Sequence, residues 1–246
     1  MEIYNYSPAV ADIKVIAFDA DDTLWVNEPI YNKAEEQCKK LVQDYINPST
    51  LSDQLYQTET KNLKLFGYGI KGFVLSLIET VVELSEKQVT GSEIQKIIDI
   101  GKDMITHPVE LLPGVEETIT ALKEKYILMI LTKGDLFDQE SKIARSGLDT
   151  YFDYFEIVSD KTKGTYRNVL SRYEVSPSNF LMVGNSLRSD VLPVKNISSN
   201  AIHIPYHSTW EHEKVELSDS TQNGYYELEN ISQVPEFLQG NQFQNQ

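Results

Sequence analysis

Three carboxylates, Asp19, Asp21 and Asp22, stand within four positions directly after the apolar run Val15 to Phe18, and Thr23 follows them. Like charges packed this closely repel, so the cluster is costly unless something uses it. If the chain stays extended, alternation puts Asp19 and Asp21 on the same side, roughly 6–7 Å apart. A carboxylate pair facing one site can attack as a nucleophile, move protons or hold a cation. The plainer reading is an acidic turn after a strand, and the rest of the chain decides between the two.

Three later apolar runs also end in polar groups. Thr132, Lys133 and Gly134 follow Tyr126–Leu131, Lys161 and Lys163 follow Phe155–Val158, and Gly184-Asn185-Ser186 with Asp190 follow Phe180–Val183. A hydroxyl, a lysine and carboxylates gathered beside an acid pair suit a phosphoryl group and a hard cation. Mg²⁺ prefers oxygen ligands, keeps several waters and takes one or two carboxylates plus phosphate oxygens.

The elements that must position these groups alternate. Val15–Phe18, bounded by polar residues, reads as a strand buried on both faces. The chain then turns helical for most of a hundred residues, with apolar faces through Ile30, Ala34 and Leu41, through Leu51, Leu55 and Leu63, through Phe73, Leu77 and Val81, and through Ile94, Ile97 and Met104. Asn47-Pro48 and Gly67-Tyr68-Gly69 separate these helices, and Thr90-Gly-Ser-Glu93 is a capping box that opens the fourth. From Pro113 onward helices near 115–125, 137–146, 164–173 and 189–196 alternate with strands, the last being Ala201–Ile204, and Gly147 caps one helix. Alternation predicts an α/β fold, a doubly wound parallel sheet with an inserted helical bundle. Residues 1–26 and 111–246 form the core domain in this reading, and residues 27–110 form a lid over the strand ends, where open α/β sheets bind ligands.

Composition narrows the partners. A chain of 246 residues, 41% hydrophobic, can bury a sizeable core. The net charge of −15 argues against nucleic acid, whose binding rests on lysine and arginine neutralising phosphates. An anionic substrate then needs a local positive feature, since the overall field repels it. Cys38 is the single cysteine, which excludes an intrachain disulfide and a cysteine metal cage. No apolar run reaches membrane-spanning length, and Met1–Ser7 is polar, so a soluble cytoplasmic protein without a membrane partner is expected. The Gln/Asn-rich stretch 240–246 reads as a frayed tail. Nothing in the sequence bears on oligomeric state.

Asp19-Ala-Asp21-Asp22-Thr23-Leu24 resembles the first motif of the haloacid dehalogenase superfamily in its phosphatase form, D-x-D-x-T. Thr132, Lys161 and Gly184-Asn185-Ser186 with Asp190 resemble the second, third and fourth motifs, in order and at strand ends, and the helical insertion takes the place of the family's C1 cap. The resemblance implies a Mg²⁺-dependent phosphatase acting on a small phosphorylated metabolite through an aspartyl-phosphate. Asp19 would attack phosphorus and Asp21 would protonate the leaving oxygen, then activate water; a nearby carboxylate raising Asp21 would help. Thr132, Lys133 and Lys161 would hold the phosphoryl oxygens, and Asp19, the Asp21 carbonyl, Asn185 and Asp190 would hold the metal. An aspartate at position 21 speaks against a dehalogenase or a phosphonatase. A phosphomutase would carry the same four motifs, and a non-catalytic member would bind a phosphorylated ligand.

Two positions depart from the family pattern. Asn185 stands where relatives often have aspartate, and Lys161-Thr162-Lys163-Gly164 offers two lysines and no proline. Lys161 is favoured because the stretch through Tyr166 then spaces like relatives reading Lys-Thr-Pro-x-Thr-Tyr. Asp22 is assigned to the structure of the turn. His203, His207, His212 and Asp219 suggest a metal site, but the His-x-x-x-His pair lies beside Pro205, not on a helix, and a loop role is the better reading. Gly67–Gly72 follows no strand, so it reads as a turn between helices; the alternative to a purely structural turn is that Tyr68 or Lys71 touches substrate. Cys38 is expected to be partly buried and inert.

Overall fold

The computed structural model describes residues 12–208, 210–215 and 225–240. Met1–Ser7, Asp219 and positions 241–246 of the tail lie outside the described residues. Six parallel strands, β1 (Val15–Phe18), β2 (Ile127–Lys133), β3 (Tyr154–Val158), β4 (Phe180–Gly184), β5 (Asn200–His203) and β6 (Tyr226–Glu227), form one sheet in the order β3-β2-β1-β4-β5-β6. The acid-bearing first strand sits in the middle, with Phe18 level with Ile130 on β2 and Val183 on β4. The polar groups that follow these strands therefore emerge side by side.

The sheet is covered on both faces. Ile16 and Phe18 pack with α5 (Val115–Lys123), α6 (Leu136–Ser146) and α9 (Val234–Leu238), while Val15 and Ala17 pack with α7 (Lys163–Arg172) and α8 (Leu192–Lys195). That is the period of two expected of a strand with an apolar layer on each side. The doubly wound parallel sheet expected from the alternation is present. Two elements were not anticipated, β6 and α9, because a two-residue strand and a five-residue helix are too short for a period to show. The helix expected near 189–196 is split into a wide π turn, Leu187–Val191, and the short α8, with Pro193 near the start of the latter.

Four helices separate β1 from α5: α1 (Glu28–Val42), α2 (Pro48–Phe66), α3 (Ile70–Leu84) and α4 (Gly91–Thr106). Their buried apolar residues, among them Ala34, Leu51, Leu77, Ile97 and Met104, form a cluster of their own. The capping box at α4 is made in full: Thr90 Oγ1 accepts from the Glu93 amide at 3.3 Å, and Glu93 Oε2 accepts from the Thr90 amide at 2.7 Å. The bundle is tied to the α/β core by polar contacts. Lys71 pairs with Asp135 at 2.9 Å, and Arg145 donates to the carbonyls of Ile105 and His107 at 3.1 and 2.7 Å.

Loss of an N-cap side chain costs about 1 kcal/mol. Thr90→Ala should lower the unfolding free energy by about that amount, read from the urea midpoint at constant slope. An unchanged midpoint would mean that the box holds nothing.

Candidate active site

After Phe18 the chain leaves the extended conformation. The Asp19 amide donates to the Val183 carbonyl at 2.9 Å, which locks the end of β1 to β4. The Ala20 carbonyl then accepts from the amides of Thr23, Leu24 and Trp25, closing a tight loop in which Asp22 has a φ of 60°. The three carboxylates consequently fan out. Asp22 turns away and accepts from the Asn27 and Glu28 amides at 2.8 and 3.0 Å, capping α1, whose own N-cap residue Asn27 makes no side-chain cap. The structural role expected for Asp22 is this cap.

Asp19 is buried and meets Lys161, whose ammonium bridges Asp19 Oδ1 and Asp190 Oδ1, the latter at 2.7 Å. Thr23 Oγ1 donates to Asp19 Oδ2 at 3.2 Å and accepts from the Asn185 amide at 3.1 Å, so it links the first loop to the fourth. Asn185 Oδ1 lies 3.4 Å from the same hydroxyl. The other oxygen of Asp190 accepts from the Ser186 amide at 3.0 Å. Gly184 makes this possible, because a Cβ there would overlap the Asp190 carboxylate. Of the two candidate lysines, Lys161 is buried in the site and Lys163 opens α7 at the surface. Thr162, between them, caps α7 by accepting from the Thr165 amide at 3.1 Å.

Electrostatics separate the two acids in the opposite sense from the expectation. Burial pushes Asp19 up to about 7; Lys161 opposes this and the Asp190 charge adds to it. Burial also pushes Asp21 upward, but Lys142 and hydrogen bonds from Gln139, Lys142 and Trp25 outweigh it and hold that carboxylate below its usual range. Those bonds are 3.0 Å from Lys142 and 2.7 Å from Trp25 to Oδ1, and 2.8 Å from Gln139 to Oδ2. The expectation that a neighbouring acid would protonate Asp21 is corrected by Lys142, a cation that no motif marked.

Thr132 is buried at the end of β2 and lines the same cavity as Asp19, Asp21, Lys161, Asn185 and Asp190. Lys133 lines it too, but its ammonium is engaged by Glu213, by Ser189 Oγ at 2.9 Å and by the Tyr68 ring at 4.3 Å. Glu213 also accepts from Ser189 Oγ at 2.7 Å and from Ser186 Oγ, and is held down to about 2: burial is outweighed by Lys133 and by those serines. Trp25, Gln139, Lys142 and Glu213 were missed at the level of sequence. Trp25 closes the same loop as Asp21, whereas Gln139, Lys142 and Glu213 reach the site from distant parts of the chain that no local spacing signals.

The histidines do not converge. His203 bridges Glu227 at 2.9 Å and the Asn185 carbonyl at 3.1 Å, His207 stacks on Tyr206, and His212 lies beside Trp210. Among the described residues no three His, Cys, Asp or Glu side chains form a metal cluster. Asp19 and Asp190 share the Lys161 ammonium, and Asn185 Oδ1 and Asp19 Oδ2 both lie by the Thr23 hydroxyl, an all-oxygen donor set of the kind a hard cation takes. The turn between α2 and α3 is limited to residues 67–69, with Gly67 and Gly69 at φ of 71° and 114°, while residues 70–72 already belong to α3; Tyr68 lines the cavity and Lys71 does not. Cys38 is fully buried, which pushes its thiol up to about 12. No helix among the described residues is long and apolar enough to cross a membrane.

The cavity above these strand ends measures about 790 Å³, with its far wall built from α1, α2 and α3. Residues 13–197 match the family model of haloacid dehalogenase-like hydrolases. A glyceraldehyde 3-phosphate phosphatase of Pyrococcus furiosus is 28% identical over 203 residues, 79% of this chain and 81% of the relative. A solved haloacid dehalogenase-like family hydrolase from Xanthomonas campestris is 38% identical with a TM-score of 0.83, covering 93% of this chain and 91% of its own. The L-2-haloacid dehalogenase of Xanthobacter autotrophicus, 16% identical with a TM-score of 0.64, shares the fold. The chain belongs to the haloacid dehalogenase-like hydrolases.

Proposed function

We propose that this hydrolase is a Mg²⁺-dependent phosphatase of a small phosphorylated metabolite, acting through an aspartyl-phosphate on Asp19. The observation that carries this reading is the Lys161 ammonium set between the buried carboxylates of Asp19 and Asp190. One buried cation between two acids, lining a cavity, can also hold phosphoryl oxygens. The phosphatase named among the relatives supports the same activity.

In this account one Asp19 oxygen attacks phosphorus in line with the leaving alcohol, and the phosphoryl group passes to the carboxylate as the ester bond breaks. Lys161 and the Thr132 hydroxyl carry the charge that develops on the phosphoryl oxygens, where a water-poor site makes such contacts strongest. Thr23 fixes the second Asp19 oxygen. Asp19, Asp190, Asn185 and the Asp21 carbonyl would hold Mg²⁺, which supplies the positive charge that favours an ionised Asp19 beside a dianion. Asp21, ionised against Lys142, is ready to take a proton from the water that cleaves the aspartyl-phosphate. An arriving phosphate dianion raises the proton affinity of a nearby carboxylate, which prepares Asp21 for the acid step that precedes it. Lys133, already neutralised by Glu213, organises the loops and is a secondary phosphate contact. Residues 27–110 serve as the cap domain over the 1–26 and 111–246 core, and exclude water during transfer.

Three outcomes follow. With Mg²⁺ and a panel of phosphomonoesters, Asp19→Asn should abolish turnover, Lys161→Ala should reduce kcat by about a thousandfold, and Lys163→Ala should leave it near wild type; activity in Asp19→Asn would overturn the assignment. EDTA should remove activity and added Mg²⁺ should restore it, whereas full activity after chelation would exclude the metal. Gly184→Ala should displace Asp190 and cost about a hundredfold in kcat, measured beside a thermal melt that shows the fold intact.

A further inference from the structure

Strand pairing between β4 and β5 ends with Gly184 level with His203, and the Ile204 amide takes the Gly184 carbonyl at 2.9 Å. The next carbonyl, that of Asn185, lies beyond this ladder and is met by a side chain instead: His203 Nε2 reaches it at 3.1 Å. A carbonyl can only accept, so Nε2 carries a hydrogen. On the other side of the ring, Nδ1 meets Glu227 Oε2 at 2.9 Å, and the Tyr225 ring stands edge-on at 6.2 Å. His203 is buried at the end of a strand whose Ala201 and Ile202 are buried and apolar. Burying an imidazole costs free energy unless its nitrogens are engaged, and both are.

The residue held in this way is the one that would give the cation site its neutral side-chain oxygen. The Asn185 amide donates to Thr23 Oγ1 at 3.1 Å, so the backbone of Asn185 is anchored on both sides, to the loop after β1 and to β5. Its side-chain Oδ1 lies 3.4 Å from the same Thr23 hydroxyl, which donates to Asp19 Oδ2 at 3.2 Å. A line of contacts thus runs from Glu227 on β6 through His203, Asn185 and Thr23 to Asp19. A carboxylate attracts a cation by its charge; an amide oxygen has no net charge, so its contribution depends on where it points. Neither His203 nor Glu227 lines the cavity, so both act on the site through Asn185.

Resting on the phosphatase reading above, we infer that His203 is a positioning residue of the Mg²⁺ site: with its ring held by Glu227, it fixes the Asn185 peptide so that Oδ1 stays on the side of Asp19. Groups one step behind a metal's ligands set its affinity by about ten- to a hundredfold.

The test reads Mg²⁺ binding without substrate, from the rise in melting temperature of the full chain with Mg²⁺ concentration, counting only the rise that Asp190→Asn abolishes. His203→Asn, whose shorter amide keeps a donor for Glu227 and falls short of the Asn185 carbonyl, should raise the Mg²⁺ dissociation constant about tenfold. Asn185→Ala should weaken binding by a similar factor, and adding His203→Asn to it should weaken it no further, because the histidine acts through that side chain. Glu227→Ala, at an exposed carboxylate, should shift the affinity in the same direction. Unchanged affinity in His203→Asn, or in Glu227→Ala should the former not fold, would overturn the inference. So would a full further loss on top of Asn185→Ala, which would make His203 a tie between strands and nothing more. Hydrolysis of phosphomonoesters by the wild type is scored apart. Mg²⁺ binding that follows this pattern without turnover would uphold the inference and overturn the phosphatase reading; turnover with a Mg²⁺ affinity indifferent to these changes would do the reverse.

Discussion

The structure depends on one buried ammonium. Lys161 faces two carboxylates, Asp19 and Asp190, at a place nearly closed to solvent. Two acids around one lysine leave a net negative charge, and desolvating that charge is expensive even when the pairing is good. Burial accordingly pushes Asp19 upward against the pull of Lys161. A fold pursuing stability alone would fill this space with apolar side chains. A divalent cation beside this group would turn the net charge from negative to positive and let the site hold an anion.

That constraint explains why three strands must end together. Asp19 leaves β1, Lys161 comes from the loop after β3, and Asp190 from the wide turn after β4. The parallel register puts Phe18 beside Val183, and Gly184 lets the Asp190 carboxylate lie against the backbone. His203 on β5 holds the Asn185 carbonyl and extends the same network to Glu227 on β6. The helices on the two faces are ordinary packing; the polar strand ends are what the order of the sheet accomplishes.

The fold and the line of strand-end groups were legible because each rests on local signals: apolar runs of strand length, amphipathic helical stretches and a capping box. Asp19, Thr132, Lys161, Asn185 and Asp190 all line one cavity, as their positions after apolar runs suggested. What was not legible is the direction of side chains once the backbone stops being extended. The loop from Ala20 to Trp25 sends Asp21 towards Trp25, Gln139 and Lys142, and Asp22 towards the start of α1. Lys142 lies on α6, 121 residues from Asp21, and nothing in either neighbourhood announces the pair. Glu213 likewise neutralises Lys133 from a turn far along the chain. Such long-range charge pairs decide which acid is ionised, so the roles within the first motif need the three-dimensional arrangement.

The central claim is that Asp19 becomes covalently phosphorylated. Borohydride reduces an acyl phosphate to the alcohol, so quenching the enzyme with it during turnover of a phosphomonoester in Mg²⁺, followed by mass spectrometry of the peptide spanning Asp19, reads the intermediate directly. The account predicts homoserine at position 19 alone, present only with substrate. Turnover with Asp19 unmodified, or with the reduction product at Asp21, Asp22 or Asp190, would contradict it.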